Sequence, residues 1–265
     1  MDFLFQLSIT VEIDVTWWSF LLLVAAGIFA GFVNTIAGGG SMLTVPALML
    51  LGMPADYANG TNRVGILQQS LTGIRGFNRS GKLDKGAILP VVVPTMSGAV
   101  LGALAAIWIS PDTLKLVLLG TMIAMALLML VAPNVMAPPE GTPTYTLKER
   151  PLGLLVLFGA GLYGGFVQAG VGFILIAALA LGLRYDLVRT NALKAVCTAL
   201  FSVAALAVFI VSDHVDWIPG IVLAAAMTVG ALFGVRFALT VSQRVFKWIL
   251  FVMVCLACGL AFLFA

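Results

Sequence analysis

Charge is what this chain has least of. Only 9% of its 265 residues are Asp, Glu, Lys or Arg, while 62% are hydrophobic. A water-soluble domain carries about 25% charged and 45–50% apolar residues. So few charges cannot coat a surface that faces water, but they suit one that faces lipid. A net charge of +3, scattered along the chain, is too small to imply a nucleic-acid partner. Cysteine is also sparse. Cys197, Cys255 and Cys258 all lie in apolar stretches, and the last two share a helical face through C-x-x-C spacing. No further ligand stands nearby, so they read as small residues at a helix contact rather than a metal or redox pair. Catalytic signatures are missing as well. There is no H-E-x-x-H, no G-x-S-x-G and no Asp pair inside a long apolar run, so neither an enzyme nor a cofactor is expected. Gly38-Gly39-Gly40-Ser41 lacks the Gly-Lys-Ser/Thr of a phosphate loop, and direct ATP driving would need a separate subunit. The N-terminus lacks a basic region: its first charges are Asp2, Glu12 and Asp14. No small-residue cleavage site follows the run from Trp17, so no removable signal peptide is expected.

What is present is length of apolar sequence. Runs at Trp17–Ala37, Ile88–Ile109, Thr113–Ala132, Ala192–Val211, Trp217–Leu239 and Phe246–Phe264 each approach the ~20 residues that cross ~30 Å of hydrocarbon as a helix. Asn62–Phe77 is more polar, carrying Gln68, Gln69, Ser70 and Arg75. It spans if its polar face looks into the protein. Met42–Gly52 and Gly172–Leu183 are too short to cross. Each follows a glycine cluster, Gly38-Gly39-Gly40 or Gly170 with Gly172, the pattern of a broken or re-entrant helix lining a protein cavity.

The proline-rich segment Pro133–Pro151 divides one integral membrane domain into repeats at 1–132 and 152–265. Gly31-Phe32-Val33-Asn34 matches Gly165-Phe166-Val167-Gln168. Leu51-Gly52 with Asp56 matches Leu181-Gly182 with Asp186, and Thr61-Asn62 matches Thr190-Asn191. Gly98 and Gly102 match Gly230 and Gly234, which read as helix packing. This shared order predicts an internal duplication. With both termini extracytoplasmic and each short segment returning to its own side, twelve of the fourteen Lys and Arg fall inside, leaving Arg63 and Lys115 outside. That agrees with the positive-inside bias. The halves then run antiparallel. The predicted fold is all-α, a polytopic transmembrane bundle of two inverted repeats, each with a broken helix pair plus three spanning helices, in the plasma membrane.

Two glycine-interrupted segments in corresponding positions point to a binding site between them. Gly38, Gly39 and Gly40 can take positive φ and expose amides. A helix starting near Ser41 would aim its positive end at an anion. Asn34 and Gln168 precede the two breaks and donate amide hydrogens, with Gly170 and Gly172 beside the second. Thr61-Asn62 and Thr190-Asn191, at the start of the next helices, either line the site or cap those helices. Gln68 and Gln69 face the pathway or bridge helices. Arg63 and Lys194 either draw anions in or snorkel at the interface. His214 lies in a short polar loop and reads as exposed.

At these residues the chain resembles the sulfite exporter TauE/SafE family, also called the 4-toluene sulfonate uptake permease family. The likeness is carried by Gly31-Phe32-Val33-Asn34-Thr35-Ile36-Ala37-Gly38-Gly39-Gly40-Ser41 and Leu43-Thr44-Val45-Pro46-Ala47-Leu48. It continues through Gly52-Met53-Pro54, Thr61-Asn62-Arg63, Gly164-Gly165-Phe166 to Gly172-Phe173, and Thr190-Asn191. The second half departs from it at Gln168-Ala169-Gly170-Val171-Gly172, which lacks the triple glycine. The resemblance implies a plasma-membrane permease for small sulfur-containing anions such as sulfite, sulfoacetate or sulfonates. Alternating access would be driven by a substrate gradient or a coupling ion, H+ or Na+, with lipid around the protein and a homo-oligomer possible. A channel-like anion pore and a non-transporting assembly partner remain as alternatives.

Overall fold

The structure, a computed structural model, describes residues 17–131 and 138–241. The expected span Phe246–Phe264, the Cys255–Cys258 pair, Arg244, Lys247 and the acidic N-terminal residues lie outside the described residues. Within them the chain forms nine α-helices and no strand. The first half supplies α1 (Trp17–Ile36), α2 (Ser41–Leu50), α3 (Ala55–Arg79), α4 (Lys85–Ile107) and α5 (Pro111–Val131). The second supplies α6 (Leu152–Phe166), α7 (Val171–Ile176) with a π-helical continuation at Ala177–Gly182, α8 (Leu187–Val211) and α9 (Trp217–Thr240).

Local chemistry sets where these helices start. Asp84 accepts from the amides of Gly86 and Ala87 at the head of α4, and Asp186 from Val188 and Arg189 at the head of α8. Asp216 accepts from Ile218 at the head of α9. Such caps satisfy amides that have no partner within the helix. Once started, α4, α8 and α9 are long and apolar enough to cross a membrane. Their outer faces expose Leu89, Val93, Leu101, Val203, Ile221 and Phe233, a surface that only lipid can cover without cost. The polar α3 solves the problem differently. It turns Asn59, Thr61, Asn62, Arg63, Gln69 and Ser70 inward, all buried.

Both breaks lie where glycine clusters interrupt the apolar runs. At the first, Gly38 takes φ +97 and the chain doubles back: a Cβ on Gly40 would strike the Ala30 carbonyl and the Asn34 side chain of α1. A continuous helix would separate residues 30 and 40 by about 15 Å. At the second, left-handed backbone falls on Gln168 (φ 66) and Gly170 (φ 79). The breaks then touch. A Cβ on Gly38 would meet the Cα of Gly172, and the reverse.

Helices pack across the halves. α1 packs against α9, and α6 against α4. α3 packs against both α8 and α9, and α8 against both α3 and α4. The paired glycines make the close crossings. Cβ atoms on Gly98 and Gly102 would run into the α6 backbone, and one on Gly230 into that of α1. Loop contacts give direction. The start of α3 meets the end of α8, where Asp56 pairs with His214 at 3.2 Å. Beyond the end of α3, Asp84 binds Tyr185 (2.9 Å) and Arg189 (3.1 Å) at the start of α8. So α3 and α8 are antiparallel. His214, expected to be simply exposed, is partly covered and held by Asp56.

Candidate functional site

Four elements bring polar side chains to one enclosed place in the bundle. The first break contributes Asn34, Thr35 and Ser41, and the second contributes Gln168 and Gly172. From near the middle of α3 come Gln69, Ser70 and Gly73, and from α8 come Lys194 and Thr198, with Ile66, Val171 and Ala195 completing the wall. The cavity measures about 10 Å³, room for roughly one water. Every residue of its wall is buried. Its polar groups are only partly satisfied. Asn34 Nδ2 donates to Gln69 Oε1 at 2.7 Å, and Gln168 Nε2 to Ser202 at 3.4 Å. The Ser70 hydroxyl and Gln168 Oε1 are buried with no partner among the described residues. An unpaired buried polar group costs about 1–3 kcal/mol, so this arrangement suits a guest that hydrogen-bonds.

Two cations lie deep in the bundle and mirror each other. Arg63 of α3 is fully buried and donates to the carbonyls of Gly164 and Gly165 at the end of α6, and to Asn59 Oδ1. Its guanidinium lies 4.9 Å from the Phe209 ring. Lys194 of α8 is 3% exposed. It donates to the carbonyls of Asn34 (3.0 Å) and Thr35 (3.1 Å) at the end of α1, and to Asn191 Oδ1 (2.6 Å). Each cation therefore binds the negative end of the other half's first helix, where free carbonyls and the helix dipole favour it. Both side chains are buried, so of the two readings left open by the sequence, interfacial snorkelling does not hold. Lys194 reaches the cavity and Arg63 does not.

Of the other predicted site residues, Asn34, Ser41, Gln168 and Gly172 line the cavity. Gly38 instead forms the contact between the breaks, while Gly39 packs under the Phe173 ring and Gly40 against α1. Gly170 supplies the left-handed turn before α7. Of the triple glycine only Gly38 has positive φ, and Gly40 is helical at φ −58. Thr61, Asn62, Thr190 and Asn191 lie inside α3 and α8, which begin earlier at Ala55 and Leu187, so they are not N-caps. Asn62 accepts from Thr44 and Thr61 accepts from the amide of Asp216. Thr190 donates to the Tyr185 carbonyl. Asn62 and Asn191 each keep an unpaired buried Nδ2. Gln68 is exposed whereas Gln69 is buried. Ser70 was read only as part of the inward polar face of its helix, and Thr35 and Thr198 were not read as site residues, because a Ser or Thr in an apolar run ordinarily bonds back to its own helix.

A water-sized polar hollow between two helix interruptions, inside a bundle with a lipid-facing exterior, defines a membrane transporter built on broken helices. The chain belongs to the Sulfite exporter TauE/SafE family, whose profile matches residues 23–261. It is similar to a Sinorhizobium protein named "Probable membrane transporter protein ORF9", at 30% identity over 238 residues and 88% of each chain. A Haemophilus influenzae "Probable membrane transporter protein" is 28% identical over 226 residues, covering 85% of this chain and 88% of its own. The Escherichia coli K12 "Probable membrane transporter protein YfcA" is 28% identical over 218 residues, covering 82% of this chain and 80% of its own.

Proposed function

We propose that the protein is a secondary transporter of small anions, sulfur oxyanions or organosulfonates among them, working by alternating access between two inverted halves in the plasma membrane. The observation that carries this reading is the polar cavity between the two breaks. It holds the buried Lys194 side chain and hydrogen-bonding groups without partners among the described residues, and none of the described residues lining it is acidic. α2 begins at Ser41 in its wall, so the positive end of a helix dipole opens there. Two further observations support inverted halves. Exchanging α1, α3 and α4 for α6, α8 and α9 leaves the packing pattern unchanged, and α3 runs antiparallel to α8. The name of the family supports a sulfur oxyanion as cargo. A cavity of about one water's volume, lined by buried residues, favours an occluding transporter over a permanently open pore.

The test is uptake of labelled sulfite and methanesulfonate by proteoliposomes holding the purified protein. Asn34→Ala removes a cavity amide and is expected to cut uptake about tenfold, the scale of one hydrogen bond to a charged group. Gln68→Ala, on the exposed face of α3, is expected to transport normally. Wild-type rates from Asn34→Ala would remove the cavity from the mechanism. Non-saturating conductance would identify a pore instead, and collapse of uptake on dissipating an imposed H+ or Na+ gradient would identify the coupling ion.

A further inference from the structure

Among the described residues that line the cavity, only one has a basic or acidic side chain. Lys194 reaches it from α8, nearly out of contact with solvent, and all three neighbours of its ammonium are neutral acceptors. Taking an ammonium out of water without a counter-ion is costly. The carbonyls at the end of α1 hold the Lys194 ammonium as dipoles and bring no formal negative charge. The positive end of α2 opens beside them at Ser41. The local surplus is therefore one positive charge. The mirror cation, Arg63, lies on the end of α6 and against Phe209 and does not line the cavity.

We infer that Lys194 is the counter-charge of the transported anion, and that the site takes one negative charge, favouring singly charged oxyanions over doubly charged ones of the same shape. This rests on the anion-transport reading above and adds a selection rule to it. A monoanion beside Lys194 leaves the occluded site neutral. A dianion leaves an uncompensated charge in the middle of the bilayer, and an uncharged solute leaves Lys194 unpaired. Gln168 and Ser70 add hydrogen bonds but no charge, so they do not alter the balance.

Methanesulfonate and methylphosphonate share a shape and separate the charge. The first is singly charged at any working pH. The second is singly charged in mildly acidic buffer and doubly charged in mildly alkaline buffer. Each is titrated as a competitor of labelled methanesulfonate uptake into wild-type proteoliposomes. Equal competition is expected in acidic buffer, and methylphosphonate at least about tenfold weaker than methanesulfonate in alkaline buffer. Lys194→Met, neutral and of similar length, is expected to lose about 10- to 100-fold in affinity for methanesulfonate. Equal competition in both buffers would overturn the inference, as would wild-type affinity in Lys194→Met. If the wild type takes up no anion at all, the transport reading fails separately. Thermal shift of the detergent-purified protein by methanesulfonate then decides the site: a shift in the wild type that is lost in Lys194→Met supports it, and no shift in the wild type overturns it.

Discussion

A methyl group added to Gly172 would strike the Cα of Gly38, and one added to Gly38 would strike Gly172 in return. Backbone against backbone cannot be relieved by a rotamer change, so the two breaks can meet only through glycine. Gly172→Ala is expected to destabilise the detergent-purified protein by about 1–3 kcal/mol, the range for overpacking. Gly38→Ala should cost more, because φ +97 adds backbone strain to the clash. Gly52→Ala also carries positive φ, at +88, but its Cβ meets nothing within 4 Å, so only the strain of about 1–2 kcal/mol remains. Thermal unfolding should find Gly38→Ala the most destabilised, then Gly172→Ala, then Gly52→Ala, and a Gly172→Ala variant as stable as the wild type would contradict the contact. At Arg63 the issue is unpaired carbonyls. Arg63→Met strips the donors from Gly164, Gly165 and Asn59 and is expected to cost on the order of 3 kcal/mol. Arg63→Lys should recover only part of this, since a single ammonium cannot reproduce the guanidinium fork.

Helix starts carry their own consequences. Asp84 caps α4 with one carboxylate oxygen and binds Tyr185 and Arg189 of the other half with the second. Asp84→Asn keeps a capping oxygen and loses the charge, and the partly exposed ion pair it gives up is worth little. Asp84→Ala loses the cap as well, about 1 kcal/mol. Denaturation midpoints should therefore separate Ala from Asn more than Asn from the wild type. Elements were legible in the sequence to within a few residues where apolar runs were long, as for Trp17–Ile36 and Trp217–Thr240. The start of α8 was read late. Its first turns, with Arg189, Asn191 and Lys194, look like a polar loop until Asp186 is seen as a cap and the polar groups are seen to face inward. Gln68 and Gln69 are adjacent and chemically identical. Only the packing of α3 tells which one faces the cavity, because a helix in lipid lacks the oil-and-water contrast that marks an inward face in a soluble protein.

Seen whole, the paired charges outside the buried Arg63 and Lys194 gather at two ends of the bundle. One end carries Lys82 paired with Glu140, Asp84 with Arg189, and Tyr145 between Arg150 and Arg184. There the amide of Tyr145 donates to the Leu183 carbonyl, tying the linker between halves to the turn before α8. The Lys82 partnership pulls the Glu140 carboxyl below its usual range, chiefly through their hydrogen bond. This contact therefore persists above the ordinary carboxylate range and weakens as pH falls through the lowered value. The other end carries Asp56, Asp213, His214 and Asp216. The positive-inside bias predicts that the basic end faces the cytoplasm. In a background without Cys197, Cys255 and Cys258, a cysteine at Lys82 or Lys148 should react with an impermeant thiol reagent only in inverted vesicles. A cysteine at Asp213 should react only in intact cells, and the opposite pattern would reverse the topology.

The sequence by itself determined that the chain lives in a membrane, that its two halves share an order of motifs, and where its helices are interrupted. Composition, run length and glycine spacing are local properties, and the bilayer leaves few ways to satisfy a backbone within it. Only the tertiary structure decided that Gly38 rests on Gly172, that Arg63 and Lys194 are buried on the helix ends of opposite halves, and that Ser70, Thr198 and Gln69 share a cavity with Asn34. Those facts depend on which faces of distant helices meet, and in a chain apolar on nearly every side no local pattern encodes that choice.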